Sequence, residues 1–124
     1  MATIKVRIKN LAQIRQAFTL NPAVMVRELN LAIRKAALGI QAQSQRNTPV
    51  DTGRLRASHY TLFGNLRGVV GPDTNYAFFV HDGTKYMRAR PYLLNAVESE
   101  DNTTQGYFEE AVSKTLDELA RGAG

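Results

Sequence analysis

The chain has 124 residues, a formal net charge of +5, and neither cysteine nor tryptophan. This length suits a single domain spanning residues 1–124, and 44% apolar with 22% charged residues is ordinary for a folded domain and argues against a disordered or fibrous protein. The lack of cysteine excludes disulfides, thiolate catalysis and thiolate zinc sites, and no apolar run reaches the roughly 18 residues of a membrane span.

The N-terminal region predicts a strand followed by a short helix. Residues 3–9 alternate between the branched apolar Ile4, Val6 and Ile8 and three cations, which is typical of a half-buried strand with a cationic outer face. Residues 11–18 then predict a short helix, with Asn10 as its cap.

A long amphipathic helix is predicted next. Asn21 is expected to cap it, with Pro22 in the favoured first helical position, and the helix should end near Arg46 because the residue before Pro49 is pushed out of the helical region. Its length of about 37 Å would let it back a whole sheet or reach another copy. The apolar stripe recurs at steps of three and four residues and is widened by further apolar positions; it comprises Val24, Val26, Leu29, Leu31, Ile33, Ala36, Ala37, Leu38 and Ile40.

The second half predicts a hairpin and a terminal helix. Residues 55–63 and 66–71 are interpreted as two strands joined at Gly64-Asn65. Residues 75–81 fit either a strand or a helical turn. After Pro91 a short apolar segment is expected from Tyr92 to Val97, then a polar loop from Glu98 to Thr104, then a helix over 106–120 with Phe108, Val112, Leu116 and Leu119 buried. We therefore predict an α+β fold, in which a small antiparallel sheet (the N-terminal strand plus the hairpin) packs against the long helix, with a C-terminal helix.

The charge is unevenly distributed. Residues 1–60 carry ten Lys/Arg and two acids, for a net +8, whereas residues 61–124 carry six and nine, for a net −3. This split favours either a polyanionic partner or copies that meet basic face to acidic face, with an unevenly charged solvated surface as the alternative.

The triplet Asp51-Thr52-Gly53 is found in aspartic proteases, in which two copies share one proton between facing aspartates. Here a long helix precedes it and Arg54 follows, which does not suit an all-β protease. The alternative interpretation is a turn in which Asp accepts local hydrogen bonds and Gly supplies a positive φ.

No other enzyme motif is found. His59 and His81-Asp82 lack the third and fourth ligands of a metal site, and they are interpreted as ordinary surface histidines. Serine nucleophile elbows and phosphate-cradling glycine loops are absent from the sequence. We therefore expect no enzymatic activity, no metal and no cofactor.

The segment from Lys85 to Pro91 places three cations and an aromatic residue in a predicted loop. It could donate forked hydrogen bonds to carboxylates of another subunit, touch phosphates without sequence preference, or remain solvated.

Two stretches form a pair of motifs. The first is Thr48-Pro49-Val50-Asp51-Thr52-Gly53-Arg54-Leu55-Arg56-Ala57-Ser58. The second comprises Tyr76-Ala77, Val80-His81-Asp82-Gly83-Thr84 and Ala89-Arg90-Pro91-Tyr92. Together, and in the order of the predicted elements, they resemble the signatures of the lambdoid family of tail-completion, or neck, proteins of long-tailed bacteriophages. The matching residues are Pro49, Asp51, Thr52, Gly53, Leu55, Ser58, Tyr76, Ala77, Gly83, Thr84, Ala89, Arg90 and Pro91.

The chain departs from the family pattern at two places. His81-Asp82 replaces an acidic–aromatic pair, and Arg88 replaces a frequent proline. Both changes are expected to lie in the predicted contact loop.

The resemblance implies a structural virion protein of the tail or neck, assembled in the bacterial cytoplasm. A ring of identical subunits, with six expected, would close the head-proximal end of the tail. It would contact the tail tube or terminator and the head connector, with genomic DNA passing through its lumen. A head-side stopper, adaptor or tail terminator of the same neck is an alternative. From other classes, a nonspecific DNA-binding module and, remotely, an aspartic protease stay open. The candidate subunit or DNA contacts are Lys5, Arg7, Lys9, Lys85, Arg88 and Arg90.

Overall fold

The computed structural model describes residues 9, 11–49, 53–73, 77–85 and 88–122. Its helices are α1 (Leu11–Leu20), α2 (Pro22–Asn47), α3 (Gly53–Ala57), α4 (Ala77–Asp82), α5 (Tyr92–Ser99) and α6 (Asp101–Gly122). Its strands are β1 (His59–Gly64) and β2 (Arg67–Pro72), which pair in a two-stranded antiparallel sheet. The predicted α+β class, with a hairpin against a long helix and a C-terminal helix, is confirmed. The predicted N-terminal strand over residues 3–9 and the cap Asn10 lie outside the described residues, apart from Lys9.

The long helix α2 begins and ends where the sequence predicts. Pro22 occupies the first turn, and the Asn21 backbone carbonyl accepts from the Met25 N–H at 3.0 Å, although the Asn21 side chain makes no capping hydrogen bond. At the other end, Thr48 is extended (φ −69°, ψ 137°), as the following proline requires. With 26 residues, α2 is about 39 Å long.

Helices α5 and α6 run back along α2 in the opposite direction. Near the start of α2, Arg27 donates to Glu118 close to the end of α6, and near its end the Asn47 amide donates to the Tyr92 carbonyl at 3.2 Å. Between these points the Lys35 ammonium lies 5.8 Å from the centre of the Tyr107 ring. The whole length of α2 is therefore used as the common support for the other elements.

Two buried clusters form the core. The first joins α1, α2 and α6 through Ile14, Ala17, Met25, Leu29, Ala32, Phe108, Ala111 and Val112. The second joins α2 to α3, α4 and α5 through Ile40, Leu55, Ala77, Val80, Tyr92, Leu93 and Ala96. Not every predicted core position on α2 is buried, because Leu31 and Leu38 are 45% and 50% exposed.

The hairpin is displaced by one residue from its predicted position. Its turn is Asn65-Leu66 and not Gly64-Asn65, because Gly64 still pairs with Arg67. Leu66 has a positive φ of 56°, which is uncommon for a leucine. The Asn30 side chain on α2 stabilises the turn, since its Oδ1 accepts from the Leu66 N–H at 2.7 Å and its Nδ2 donates to Asn65 at 3.1 Å.

Two predicted boundaries in the second half were wrong. The strand predicted over 55–63 begins only at His59, since Leu55 belongs to the short helix α3. The loop predicted from Glu98 to Thr104 is almost entirely helical, and Glu100 alone separates α5 from α6. The Glu100 N–H donates to the Ala96 carbonyl and its own carbonyl accepts from the Thr104 N–H at 2.8 Å, so this residue is hydrogen-bonded to both helices.

The structure also answers whether residues 75–81 form a strand or a helical turn, and which face of the last helix is buried. The part that the structure describes, from Ala77 onward, is the helix α4. On α6, Phe108 and Val112 are buried as predicted, but Leu116 is 39% exposed, and the buried place one position earlier is taken by Thr115. No helix among the described residues is long and apolar enough to cross a bilayer.

Candidate functional site

The most unusual buried feature is a cluster of polar side chains around Tyr92, the first residue of α5. The Tyr92 side chain is 1% exposed and lies between two histidine rings. The His59 ring centre is 5.7 Å away at an interplanar angle of 64°, and that of His81 is 5.0 Å away at 90°. The prediction of surface histidines was wrong, because His59 and His81 are only 7% and 5% exposed.

His59 links α3 and β1 to α2. Its Nδ1 lies 3.2 Å from the carbonyl oxygens of both Leu55 and Arg56, so this nitrogen carries the proton and donates. Its Nε2 therefore accepts from the Ser44 hydroxyl at 2.8 Å. Burial lowers the pKa of His59 from its ordinary value of 6.5, against the opposing effect of the two carbonyls, because a buried imidazolium loses hydration.

His81 joins α4 to α5 by a similar arrangement. The Leu94 N–H donates to Nε2 at 3.2 Å, so Nδ1 is the nitrogen that donates, to the Asp82 carboxylate at 2.6 Å. The Leu94 N–H belongs to the first turn of α5, where backbone donors lack helical partners. His81 therefore satisfies one of these donors in the protein interior.

The Tyr92 hydroxyl completes the group by donating to the Ala77 carbonyl at 3.0 Å. Burial, with a smaller contribution from the Asp82 charge, raises the pKa of Tyr92 to about 12. The proton is retained because a phenolate here would be poorly hydrated and would face a carboxylate.

Replacing Tyr92 by Phe should destabilise the fold by about 1 kcal/mol at neutral pH, because one buried hydrogen bond is lost. In the unfolded chain the tyrosine ionises near 10 and in the folded protein near 12. The stabilisation is therefore complete below pH 10 and is lost as the pH rises towards 12. Urea unfolding from pH 8 to 11 should show a shallower alkaline loss in the variant than in the wild type.

Tyr60→Phe is the matched control for this measurement, because Tyr60 is 38% exposed. It should retain the wild-type alkaline loss. An identical pH dependence in Tyr92→Phe and wild type would contradict the assignment.

The Ser44–His59 contact has the residue types of a nucleophile and its base. Ser44, however, is 0% exposed on the inner face of α2, beneath the His59 ring. A substrate has no access to this hydroxyl, so the geometry gives the pair a structural role in joining two elements. Among the residues that the structure describes, no three His, Asp or Glu side chains are grouped as they would be to hold a metal ion.

The first motif contains packing and capping residues where the structure describes it. Leu55 is fully buried in the second core cluster. Ser58 closes α3 and the base of the hairpin, since its hydroxyl donates to the Leu55 carbonyl at 2.8 Å and accepts from the Asp73 N–H at 3.2 Å. Pro49 follows the end of α2. Gly53 begins α3 and is not among the described glycines with a positive φ, so the positive φ suggested for it is not found. Asp51 and Thr52 lie outside the described residues.

The second motif also supports the fold. The backbone carbonyl of the buried Ala77 accepts a hydrogen bond from the Tyr92 hydroxyl. Gly83 ends α4 with a φ of 80°, a conformation that favours glycine at the end of a helix. Pro91 stands just before α5, and its carbonyl accepts from the Asn95 N–H at 2.9 Å. Thr84 and Ala89 are exposed, and Tyr76 lies outside the described residues.

The candidate cationic contacts are exposed where they are described. Lys85, Arg88 and Arg90 all face solvent. The Arg90 N–H donates to the Val80 carbonyl at 3.0 Å, which fixes the loop, while its guanidinium forms no ion pair with any described carboxylate. Lys9 lies 3.7 Å from Asp101 at the start of α6.

Lys5 and Arg7 lie outside the described residues. His81 was expected in the contact loop, but it is buried within α4 and contacts α5. The departure from the resembled pattern at His81 therefore lies in the core of this chain.

Comparison with known proteins found no match to this chain among protein-family models, curated proteins or solved structures.

Proposed function

We propose that this protein is a structural subunit of a tailed bacteriophage virion, a ring-forming tail-completion or neck component that closes the head-proximal end of the tail and joins it to the head connector. The main support is that the two motifs meet in one buried cluster. Leu55 of the first motif and Tyr92 of the second are 37 residues apart in sequence but pack in the same cluster. Their contact in one part of the core suits a shared structural role for the two motifs.

The chemistry of the buried site supports assembly over catalysis. Ser44, His59 and His81 all use their polar atoms to join secondary-structure elements. Each is at most 7% exposed, so none is positioned to meet a substrate. A protein whose histidines and serine stabilise its interior is suited to serve as a building block.

The surface charges support contact between copies. Arg88 and Arg90 are exposed in the loop before α5, and Glu109 and Asp117 are exposed on α6; none of the four is in an ion pair among the described residues. Opposite charges carried by different elements of one chain suit head-to-tail contacts, which generate a ring when the rotation between subunits closes. Six subunits, and DNA passing through the lumen, are part of the proposal.

The decisive experiment is electron microscopy of particles produced by the encoding phage when this protein is absent. We expect full heads and tails that remain unjoined, or tails of abnormal length, and restoration by the wild-type protein supplied in trans. Normal joined virions without the protein would contradict the proposal.

Two further arms separate the other classes. Asp51→Asn supplied in trans should restore joining if the protein is structural, whereas a protease would be inactivated. Strong binding of the purified chain to free duplex DNA at about 150 mM salt, with a steep salt dependence, would instead favour a DNA-binding module.

A further inference from the structure

The hairpin covers only part of the outer face of α2. Its strand β2 approaches the helix closely, because a Cβ added at Gly68 would lie 3.1 Å from Ile33 and 3.4 Å from Ala37. The neighbouring strand β1 follows, with the Phe63 ring centre 4.4 Å from the Arg34 guanidinium carbon. The two strands therefore lie side by side around the circumference of α2.

None of the described strands covers the next position around the helix. At 100° per residue, Ala37, Arg34, Leu38 and Leu31 lie at about 40°, 100°, 140° and 160° from Ile33. The strands cover the first part of this arc, and Leu38 and Leu31 beyond it are 50% and 45% exposed. The outer edge of β1 borders the same region and pairs with no strand among the described residues. A third strand beside β1 would complete its hydrogen bonds and cover both leucines.

We propose that this position is filled by residues 3–9 of a second copy of the chain. The occupant needs one apolar face for α2, one polar face for solvent, and about the six residues of β1. Residues 3–9 alternate in this way, and adding a strand to an open edge is a common mode of association.

Lys9, from which the chain's own N-terminal segment extends, lies on the opposite side of α6 from Leu31. The Lys9 N–H donates to the Gln105 Oε1 at 3.0 Å. Leu31 borders α6 at the cleft that it lines with Tyr107 and Lys114. Gln105 is about 180° to 200° around α6 from Tyr107 and Lys114. To reach the position beside β1, residues 3–9 of the same chain would therefore have to pass half-way round α6.

The length of the segment then decides between the two sources. Residues 3–8 join Lys9 to the far end of the alternating segment and reach at most about 21 Å when fully extended. A path around a helix of about 10 to 12 Å diameter, and on to β1, consumes most of that length. Too few residues would remain to pair with β1, whereas the segment of another copy has no such path to cover.

The docked segment would place its side chains consistently. Ile4, Val6 and Ile8 would pack on Leu31 and Leu38. The cationic face would point outward, where the stems of Lys5 and Arg7 can lie along Tyr60 and Leu62, which are 38% and 61% exposed on the outer face of the hairpin. Each copy both donates a segment and receives one, which is the head-to-tail pattern of a ring. The inference thus deepens the proposed ring and rests on it for its biological role.

Disulfide trapping tests the contact, since the chain has no native cysteine. Leu62→Cys chains are mixed under mild oxidation with chains carrying Lys5→Cys or Arg7→Cys, because either position can face Leu62 depending on register. Laterally paired residues bring Cα atoms within disulfide range. We expect cross-linked dimers of the two different chains, at least about tenfold more than with Ser113→Cys, on exposed α6, as the partner of Leu62→Cys.

The outcomes are distinguishable. A disulfide formed within the double variant Arg7→Cys/Leu62→Cys at high dilution, or no cross-link above the Ser113→Cys control at any concentration, overturns the inference. Deleting residues 2–8 should abolish association of the purified protein. Rings that persist without these residues would overturn the strand contact but leave the proposed function standing, whereas normal virions without the protein would overturn the function alone.

Discussion

Leu55→Ala should cost about 2 to 5 kcal/mol of the free energy of unfolding. The Leu55 side chain is 0% exposed and packs in the cluster that holds α3, α4 and α5 against α2. Truncation removes apolar contacts and leaves a cavity, since the surrounding helices can close only partly around it. Against a total stability of about 5 to 15 kcal/mol for a domain, this loss is large.

Urea denaturation measures this effect through the midpoint, provided that the slope m is unchanged. Leu116→Ala on α6 is the matched control, because the same atoms are removed from a side chain that is 39% exposed. It should cost less than about 1 kcal/mol, partly because alanine favours a helix. Equal losses in the two variants would contradict the assigned burial and would restore the prediction that Leu116 is buried.

The sequence was most informative where local chemistry determines the structure. The ends of α2 were predicted correctly because Pro22 and Pro49 restrict the backbone whatever surrounds them. The hairpin was recognised because apolar and β-favouring residues flank a turn. Its exact turn was missed because Asn30, 35 residues from Asn65, holds Leu66 in a positive φ, and no local rule predicts such a tertiary hydrogen bond.

The start of α6 was missed for a related reason. Its first turns contain buried Thr104 and Gln105, so apolar periodicity is absent where the helix begins. The buried Gln105 side chain accepts a hydrogen bond from the Lys9 N–H. Polar residues inside a helix are compatible with burial only when distant partners satisfy them, and those partners were not visible along the sequence.

The site around Tyr92 was half predicted. The motif residues Leu55, Ala77 and Pro91 were selected from the resemblance, and the structure assigns each a role in packing or helix initiation. Ser44 was missed altogether, and His59 was placed on the surface. Their contact spans 15 residues of chain and two elements, so its only sequence signal is that Ser44 shares the helical face of buried Ile40.

Acidification should destabilise the protein through His59. The unfolded chain binds a proton near pH 6.5, whereas burial lowers the pKa of the folded histidine. Below pH 6.5 the unfolded state therefore binds more protons than the folded state, and stability falls as the pH drops. The loss continues until the folded histidine also becomes protonated. The effect comes from burial, since the Leu55 and Arg56 carbonyls favour the charged ring and the Ser44 hydroxyl can accept from a protonated Nε2.

His59→Asn isolates this contribution. The asparagine amide can still donate towards the Leu55 and Arg56 carbonyls but does not titrate. We expect the variant to be less stable than the wild type at pH 7.5, since the Ser44 hydroxyl loses its acceptor, and to lose less stability between pH 7 and 5. Both proteins keep His81 and every carboxylate, so the difference between the two urea-unfolding curves against pH reports His59 alone. Parallel curves would contradict the lowered pKa that burial gives to His59.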